Sequence, residues 1–362
     1  MRTFSHMRKN VRRWLGVALI AIAVALIALN FGRGQEWRNF RWERLWRTLE
    51  GANFVYLTAA TALVYSSYLI RAFRWRSFLH PIKRGSLRIE FVGQVVGFGA
   101  VFFLGRIGEF VRPAYIARKE GVPFTAMAAV WLLERIYDSV FVILVSAIAL
   151  FLGPLEPSTP RARSVMVRMH WAGGGVLLLT LILVGLLLVF RMRSEAWTAG
   201  LVRALSFLPG RTLHHLEHLL RSFAVGLGVL QSWQDFQASA VLTSVLWFVN
   251  VTVFWLVLHA LGGSLGHLSW LASALVLFMA VLGMMAQIPG IGGGFQILAI
   301  LALTGFFNVV PEEATGASLA LWAVNSFPCM ALGLVFLAHE GLSLRKLKAL
   351  AESERESVVE KT

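Results

Sequence analysis

Between Phe236 and Pro311 the chain carries no Asp, Glu, Lys or Arg. A bilayer crossing takes roughly 20 mostly apolar residues, so this stretch holds about three crossings, or two and a re-entrant hairpin. Composition agrees. Of 362 residues, 57% are apolar and only 15% charged, against about 25% in soluble domains. Mean hydropathy is +0.68. A soluble enzyme and a disordered chain are both excluded, and the class is an integral membrane protein. Lys and Arg number 34 and Asp and Glu 19, a formal charge of +15. The basic residues sit between apolar runs, which points to anionic lipid headgroups rather than nucleic acid. The lone Cys329 excludes an internal disulfide and a cysteine-rich metal site.

Further apolar runs mark the remaining crossings. Trp14 to Phe31 follows Arg2, Arg8, Lys9, Arg12 and Arg13; it continues past a weak signal-cleavage candidate at Ala23-Val24-Ala25, so we read an uncleaved first helix. Phe54 to Ile70, Gly121 to Leu155, Met169 to Phe190 and Ala314 to His339 follow. Pro328 should kink the last of these. Phe91 to Gly105 is uncharged but short and Gly-rich. With both ends on one side it fits a re-entrant hairpin, and the segment around Gln287 to Phe295 is its counterpart. The expectation is an all-α polytopic membrane protein, with about seven to eight transmembrane helices and one or two Gly-rich re-entrant segments.

Basic loops favour the cytoplasm. The N-terminus, Arg71 to Arg88, Arg106 to Lys119, Arg191 to Arg221 and the tail from Arg345 read as inside. The uncharged loop near Gly262 and the Glu312-Glu313 turn read as outside. Arg33 to Arg47 and the loop with Arg161, Arg163 and Arg168 run against the rule. The first also carries Trp42, Leu45, Trp46 and Leu49 at helical spacing, the mark of an amphipathic helix in the headgroup layer. The resulting division is a basic cytoplasmic N-terminus (1–13), a transmembrane domain (14–338) and a polar cytoplasmic tail (339–362). Interfacial segments fall at about 36–50 and 194–232.

Charges inside membrane segments are costly and usually functional. Arg106, Glu109 and Arg112 form one cluster; Glu109 and Arg112 are three apart, which on a helix puts them on one face. Glu134, Arg135 and Asp138 form a second, with both carboxylates on one face. These carboxylates could hold a headgroup amine, shuttle a proton, or neutralise Arg106 and Arg112. In the last case the site is one buried network whose spare charge meets a phosphate. A third feature is the helix break Gln287-Ile288-Pro289-Gly290-Ile291-Gly292-Gly293-Gly294-Phe295-Gln296. Its freed N–H groups would attract anions. Gly105-Arg106-Ile107-Gly108-Glu109-Phe110 is faintly similar to this break, the sign of a weak internal repeat. His214-His215-Leu216-Glu217-His218 fits a zinc-protease pattern, but Leu213, Leu216, Leu219, Leu220 and Phe223 make it an amphipathic surface helix. No metal, nucleotide or other cofactor is expected.

These motifs together resemble the lysylphosphatidylglycerol synthase transmembrane-region family, which is flippase-like. The resemblance rests on Arg74-Trp75, on Gly105-Arg106-Ile107-Gly108-Glu109 with Arg112, on Glu134-Arg135 with Asp138, and on Pro289-Gly290 with Gly292-Gly293. It runs from about Trp14 to Leu337. Leu104 stands where the family usually has Pro, and Gln296 where a Glu is common. The resemblance implies a helical fold with re-entrant segments and movement of lipids between leaflets. Arg106 and Arg112 would meet the headgroup phosphate, and Glu134 and Asp138 would balance them or bind an amine. Pro289, Gly290, Gly292, Gly293 and Gln296 would supply a flexible break with backbone donors. The aminoacyl-transfer domain of the larger synthases is not in this sequence, so the expectation is a chain that does not aminoacylate lipid alone. The alternatives are a membrane-embedded transferase acting on a headgroup, and a non-catalytic partner of a soluble lipid-modifying enzyme. The partners expected are membrane lipids with charged headgroups, with a homo-oligomer and a cytoplasmic lipid-modifying enzyme as compatible protein partners. The expected location is the cell's inner, cytoplasmic membrane, multi-pass, with both termini cytoplasmic.

Overall fold

The computed structural model describes residues 40–152, 232–284, 287–288 and 292–339, with scattered positions between 167 and 185. The expected first helix (14–31), most of the crossing at 169–190, the histidine-bearing segment at 194–232 and the tail lie outside the described residues.

Nine helices are described: α1 (Trp42–Glu50), α2 (Phe54–Leu79), α3 (Leu87–Leu104), α4 (Val111–Glu120), α5 (Phe124–Leu152), α6 (Trp233–Leu261), α7 (Trp270–Gly283), α8 (Gly294–Phe307) and α9 (Pro311–His339). By length and composition α3, α6 and Pro311–Phe336 of α9 can each cross a membrane. α1 and α2, bent by 75° at their junction, make a fourth if taken as one span. The described part of the chain consists of helices joined by short turns, with one two-residue antiparallel ladder in which Gln287 pairs with Gly293 and Ile288 with Gly292.

α1 is amphipathic as its spacing requires. Trp42 and Trp46 are 70% and 59% exposed while Leu45 is 3% exposed. Glu312 and Glu313 in the first turn of α9 hold it: the Arg41 N–H donates to Glu312 at 2.9 Å, and Arg44 pairs with Glu313 at 3.1 Å. Carboxylates suit a helix N-terminus, where free N–H groups carry partial positive charge. The Ser264 hydroxyl donates to Glu313 at 2.5 Å. One end of the bundle thus gathers α1, the α6–α7 loop and the start of α9.

α2 and α6 run antiparallel. The Asn53 N–H donates to the carbonyl of Ala260 at 2.7 Å, and His80 meets Asp235 at 3.2 Å at the opposite end. The sequence reading ends the second crossing at Ile70 and treats Arg71 to Arg88 as a basic loop. The helix instead continues to Leu79, with Arg74, Trp75 and Phe78 fully buried. Counting charges cannot distinguish a loop arginine from one neutralised by carboxylates on another helix. The same holds for Arg106 to Lys119, read as a basic loop: it forms a 3-10 turn (Gly105–Phe110) and α4, in which only Arg118 and Lys119 are exposed.

α3 and α4 make a helical hairpin. A Cβ on Gly93 would meet Ile116, and one on Gly97 would lie 2.6 Å from the Arg112 Cβ. Gly108 sits against the backbone of Ala100. These pairs fix an antiparallel register turning at Gly105, whose φ of 62° suits glycine. The hairpin base lies where α2 ends and α5 begins: Glu120 accepts from the Ser86 N–H at 2.8 Å and pairs with Lys83 at 3.3 Å. α7 and α8 form a second hairpin, entered from the end where α1 and the start of α9 lie. Each has 14 residues, about 21 Å at 1.5 Å per residue, short of the roughly 30 Å hydrocarbon thickness. Gly283 fits directly against the backbone of Gly294. Over 236–311, read as about three crossings or as two and a re-entrant hairpin, the structure has one full-length helix followed by a hairpin of two short helices. α9 is a continuous helix through Pro328.

Candidate functional site

α2, α4, α5 and α6 bring arginines and carboxylates together in the apolar interior. Glu134, on α5, is fully buried. Its Oε1 accepts from Arg74 at 2.5 Å and Arg112 at 3.3 Å. Its Oε2 pairs with Arg112 and, at 3.3 Å, with Arg135. One turn on, the Asp138 Oδ1 accepts from Arg74 at 2.6 Å and from the Trp247 indole at 3.2 Å, while Oδ2 pairs with Arg135 at 3.1 Å. Every oxygen of both carboxylates has at least one donor.

The supports come from all sides. Arg112 also donates to the Gln94 Oε1 at 2.7 Å, and its guanidinium lies 4.6 Å from the Trp75 ring centroid. Such stacking suits a planar, weakly hydrated cation. Gly97 leaves the room that Arg112 occupies, and Thr243 accepts from Arg74 at 3.2 Å. Gly97 and Glu134 each lie ten residues into their helices, about 15 Å at helical rise. Two charge clusters far apart in sequence therefore meet deep in the bundle. Arg74 and Arg112 are 0% and 5% exposed; Arg135, at 40%, opens the cluster to its surroundings.

Of the sequence candidates, Arg112, Glu134, Arg135 and Asp138 meet here. Glu109 is half-buried in the 3-10 turn, where its charge bears on Arg135. The 3-10 turn runs directly into α4, so Glu109 and Arg112 lie on either side of a change of helical pitch. Arg106's side chain, Pro289 and Gly290 lie outside the described residues. Gly292, Gly293 and Gln296 belong to the tip of the second hairpin. There the Gly293 N–H, at φ 115°, donates to the Gln296 Oε1 at 2.7 Å. Gln296 caps α8 from its first turn, a task an amide does as well as a carboxylate.

Arg74, Gln94, Thr243 and Trp247 complete the cluster and are not among the sequence candidates. Arg74 carries a signal in the Arg74-Trp75 pair, but beside Arg71 and Arg76 it looks like one of several loop charges. Gln94, Thr243 and Trp247 lie in apolar runs without a distinguishing pattern. Among the described residues no group of three or more His, Cys, Asp or Glu could hold a metal ion.

The apolar helices and their buried polar centre define a multi-pass membrane protein. A family model described as the lysylphosphatidylglycerol synthase TM region matches residues 13–333, and the chain belongs to this family. No curated protein matches the chain.

Proposed function

We propose that this protein handles a phospholipid or other amphipathic lipid, moving it between leaflets with the headgroup passing the cluster of Arg74, Arg112, Glu134, Arg135 and Asp138. The observation that carries this reading is the cluster itself. Burying ions costs several kcal/mol each unless they are paired, and here three arginines surround two carboxylates. The surplus is cationic, and guanidinium forks suit phosphate oxygens. Membership in the family links the chain to lipid handling.

In this reading the chain crosses the membrane six times: by the apolar runs at 14–31 and 169–190, by α1–α2 taken as one span, and by α5, α6 and α9. The α3–α4 and α7–α8 hairpins enter from opposite faces as re-entrant elements, the arrangement found in transporters built from inverted repeats. The basic end, with Arg76, Lys83, Arg84, Arg88, Arg118 and Lys119, faces the cytoplasm of a cell's inner membrane. Gly292, Gly293 and Gln296, at the tip of the second hairpin, are the remaining candidates for contact with the headgroup.

The experiment is reconstitution into vesicles with headgroup-labelled phospholipids, following outer-leaflet accessibility. Wild type should accelerate exchange, and Arg112→Ala and Glu134→Gln should abolish it. Product made in detergent, with no second compartment, would instead favour an embedded transferase. Activity that survives both substitutions but fails when cytoplasmic loop charges are changed would favour a scaffold for a soluble enzyme.

A further inference from the structure

Glu90 stands apart from the ion pairs. It lies on α3, fully buried, and among the described residues neither of its carboxyl oxygens has a hydrogen-bond donor. It is close under the basic surface. A Cβ on Gly85, in the turn between α2 and α3, would stand 3.1 Å from its Oε1, and Arg84 and Ser86 on either side of Gly85 are exposed. One turn deeper on α3 is Gln94, whose Oε1 accepts from Arg112 at 2.7 Å and whose Nε2 is also without a partner among the described residues. Glu90 thus sits between the surface and the cluster, one glutamine away from Arg112.

The charges that act on Glu90 come from α4: Glu120 and Arg112. Glu120 is paired with Lys83 and Arg112 with Glu134. α9 brings apolar and small residues to α3, Phe336 against Phe91 and Gly333 against Gly99. On α2, Arg71 and Arg74 bear on Glu134 and Asp138 and Arg76 is exposed, as is Arg88 on α3 itself. From the 3-10 turn, Glu109 bears on Arg135. Among these groups Lys83 offsets Glu120, and Glu109 offsets Arg71. Arg74, Arg112 and Arg135 then face Glu134 and Asp138, and Glu90 is the deciding charge. Ionised, it cancels the last cation; protonated, it leaves that cation over.

We propose that Glu90 is a proton site linked to the headgroup site, so that the protein takes up a proton together with an anionic phosphodiester headgroup. This rests on the lipid-handling reading and adds a co-substrate to that same site. The step is a protonation: a carboxylate oxygen of Glu90 forms an O–H bond to a proton delivered by water at the basic end, and no other bond changes. The acid needs no counter-charge in an apolar interior, and it leaves the surplus of Arg112 and its neighbours to the phosphate. Linkage is reciprocal: the proton raises the affinity for the anion by the same factor as the anion raises the affinity for the proton.

The test is equilibrium binding of short-chain phosphatidylglycerol to the purified full-length chain in detergent, from acid to alkaline buffer. Proton uptake on binding is followed with an indicator dye in weak buffer. Wild type should bind at least about fivefold more tightly at the acid end, the lower bound of usual coupling between two sites, and should take up protons as it binds. Glu90→Gln, a fixed mimic of the acid, should bind at the acid-end wild-type affinity throughout and take up none. Glu90→Asp should keep a pH-dependent affinity. Glu90→Gln should also melt no lower than wild type, so a change in binding is not lost folding. Wild-type affinity that does not vary with pH, or Glu90→Gln that keeps the wild-type pH dependence or binds as weakly as alkaline wild type, overturns this proposal; if Arg112→Ala still loses binding, the lipid reading stands. No binding of phosphatidylglycerol at any pH overturns both. Dimethyl phosphate, the same anion without tails, should bind more weakly, and equal affinity overturns the lipid as its source.

Discussion

Glu134 holds the cluster together at the level of single side chains. It balances Arg74 and Arg112, both almost wholly buried. Glu134→Gln leaves these cations without their main counter-charge and should cost about 3–5 kcal/mol, read as a lowered unfolding midpoint in detergent. Glu90 is the opposite case. It is fully buried on α3, and neither carboxyl oxygen has a hydrogen-bond partner among the described residues. A neutral amide fits such a position at least as well. Glu90→Gln should therefore leave the midpoint unchanged or raise it, and a drop comparable to that of Glu134→Gln would refute this account of the site. The two carboxylates look alike in sequence; both sit beside apolar runs. Only their neighbours on other helices separate them. For the same reason the sequence presents Arg112 and Glu134 in two separate clusters, and it hides Arg74 and Arg71 among loop charges.

The α3–α4 hairpin is the element that sets Arg112 at depth. Its register depends on Gly93, Gly97 and Gly108, where a side chain would strike the facing arm of the hairpin. Gly97→Ala forces a Cβ against the Arg112 stem, an overpacking that typically costs about 1–3 kcal/mol. We expect a lower unfolding midpoint and slower lipid exchange together, whereas Ala at the open helical Gly305 should lower neither. The short, glycine-rich character of this segment is legible without coordinates, as is the break at 287–296. What cannot be read is which residues face each other. That depends on the turn at Gly105 and on close approach of two backbones. The helical period of α2 was also insufficient to place its end, since Arg71 to Arg76 satisfy a loop and a buried polar face equally well.

Across the whole molecule, two hairpins enter the helical core from opposite ends, and the acidic clamp of α9 on α1 marks the end opposite the basic one. That the elements are membrane helices follows from hydropathy alone, because lipid leaves little choice of backbone structure. Their packing does not, since helices of similar polarity can neighbour one another in many orders. Sidedness can be checked directly. Cys329 is buried, so an introduced cysteine is read against little background. An impermeant thiol reagent added outside intact cells should label Ser264→Cys at once and Arg84→Cys only after permeabilisation; the reverse pattern would invert the assigned orientation.

The account's central claim is that the buried arginine–carboxylate cluster is where the lipid headgroup passes. The most direct measurement is the rate at which headgroup-labelled phosphatidylglycerol becomes accessible at the outer leaflet of vesicles holding equal amounts of folded protein. Three chains suffice: wild type, Arg112→Lys, and Arg44→Ala in the distant clamp on α9. Lysine keeps the charge of Arg112 but not its fork toward Glu134 and Gln94. We predict acceleration by wild type and Arg44→Ala and loss of most of it in Arg112→Lys. Exchange at the wild-type rate in Arg112→Lys, or no acceleration by wild type, would contradict the claim.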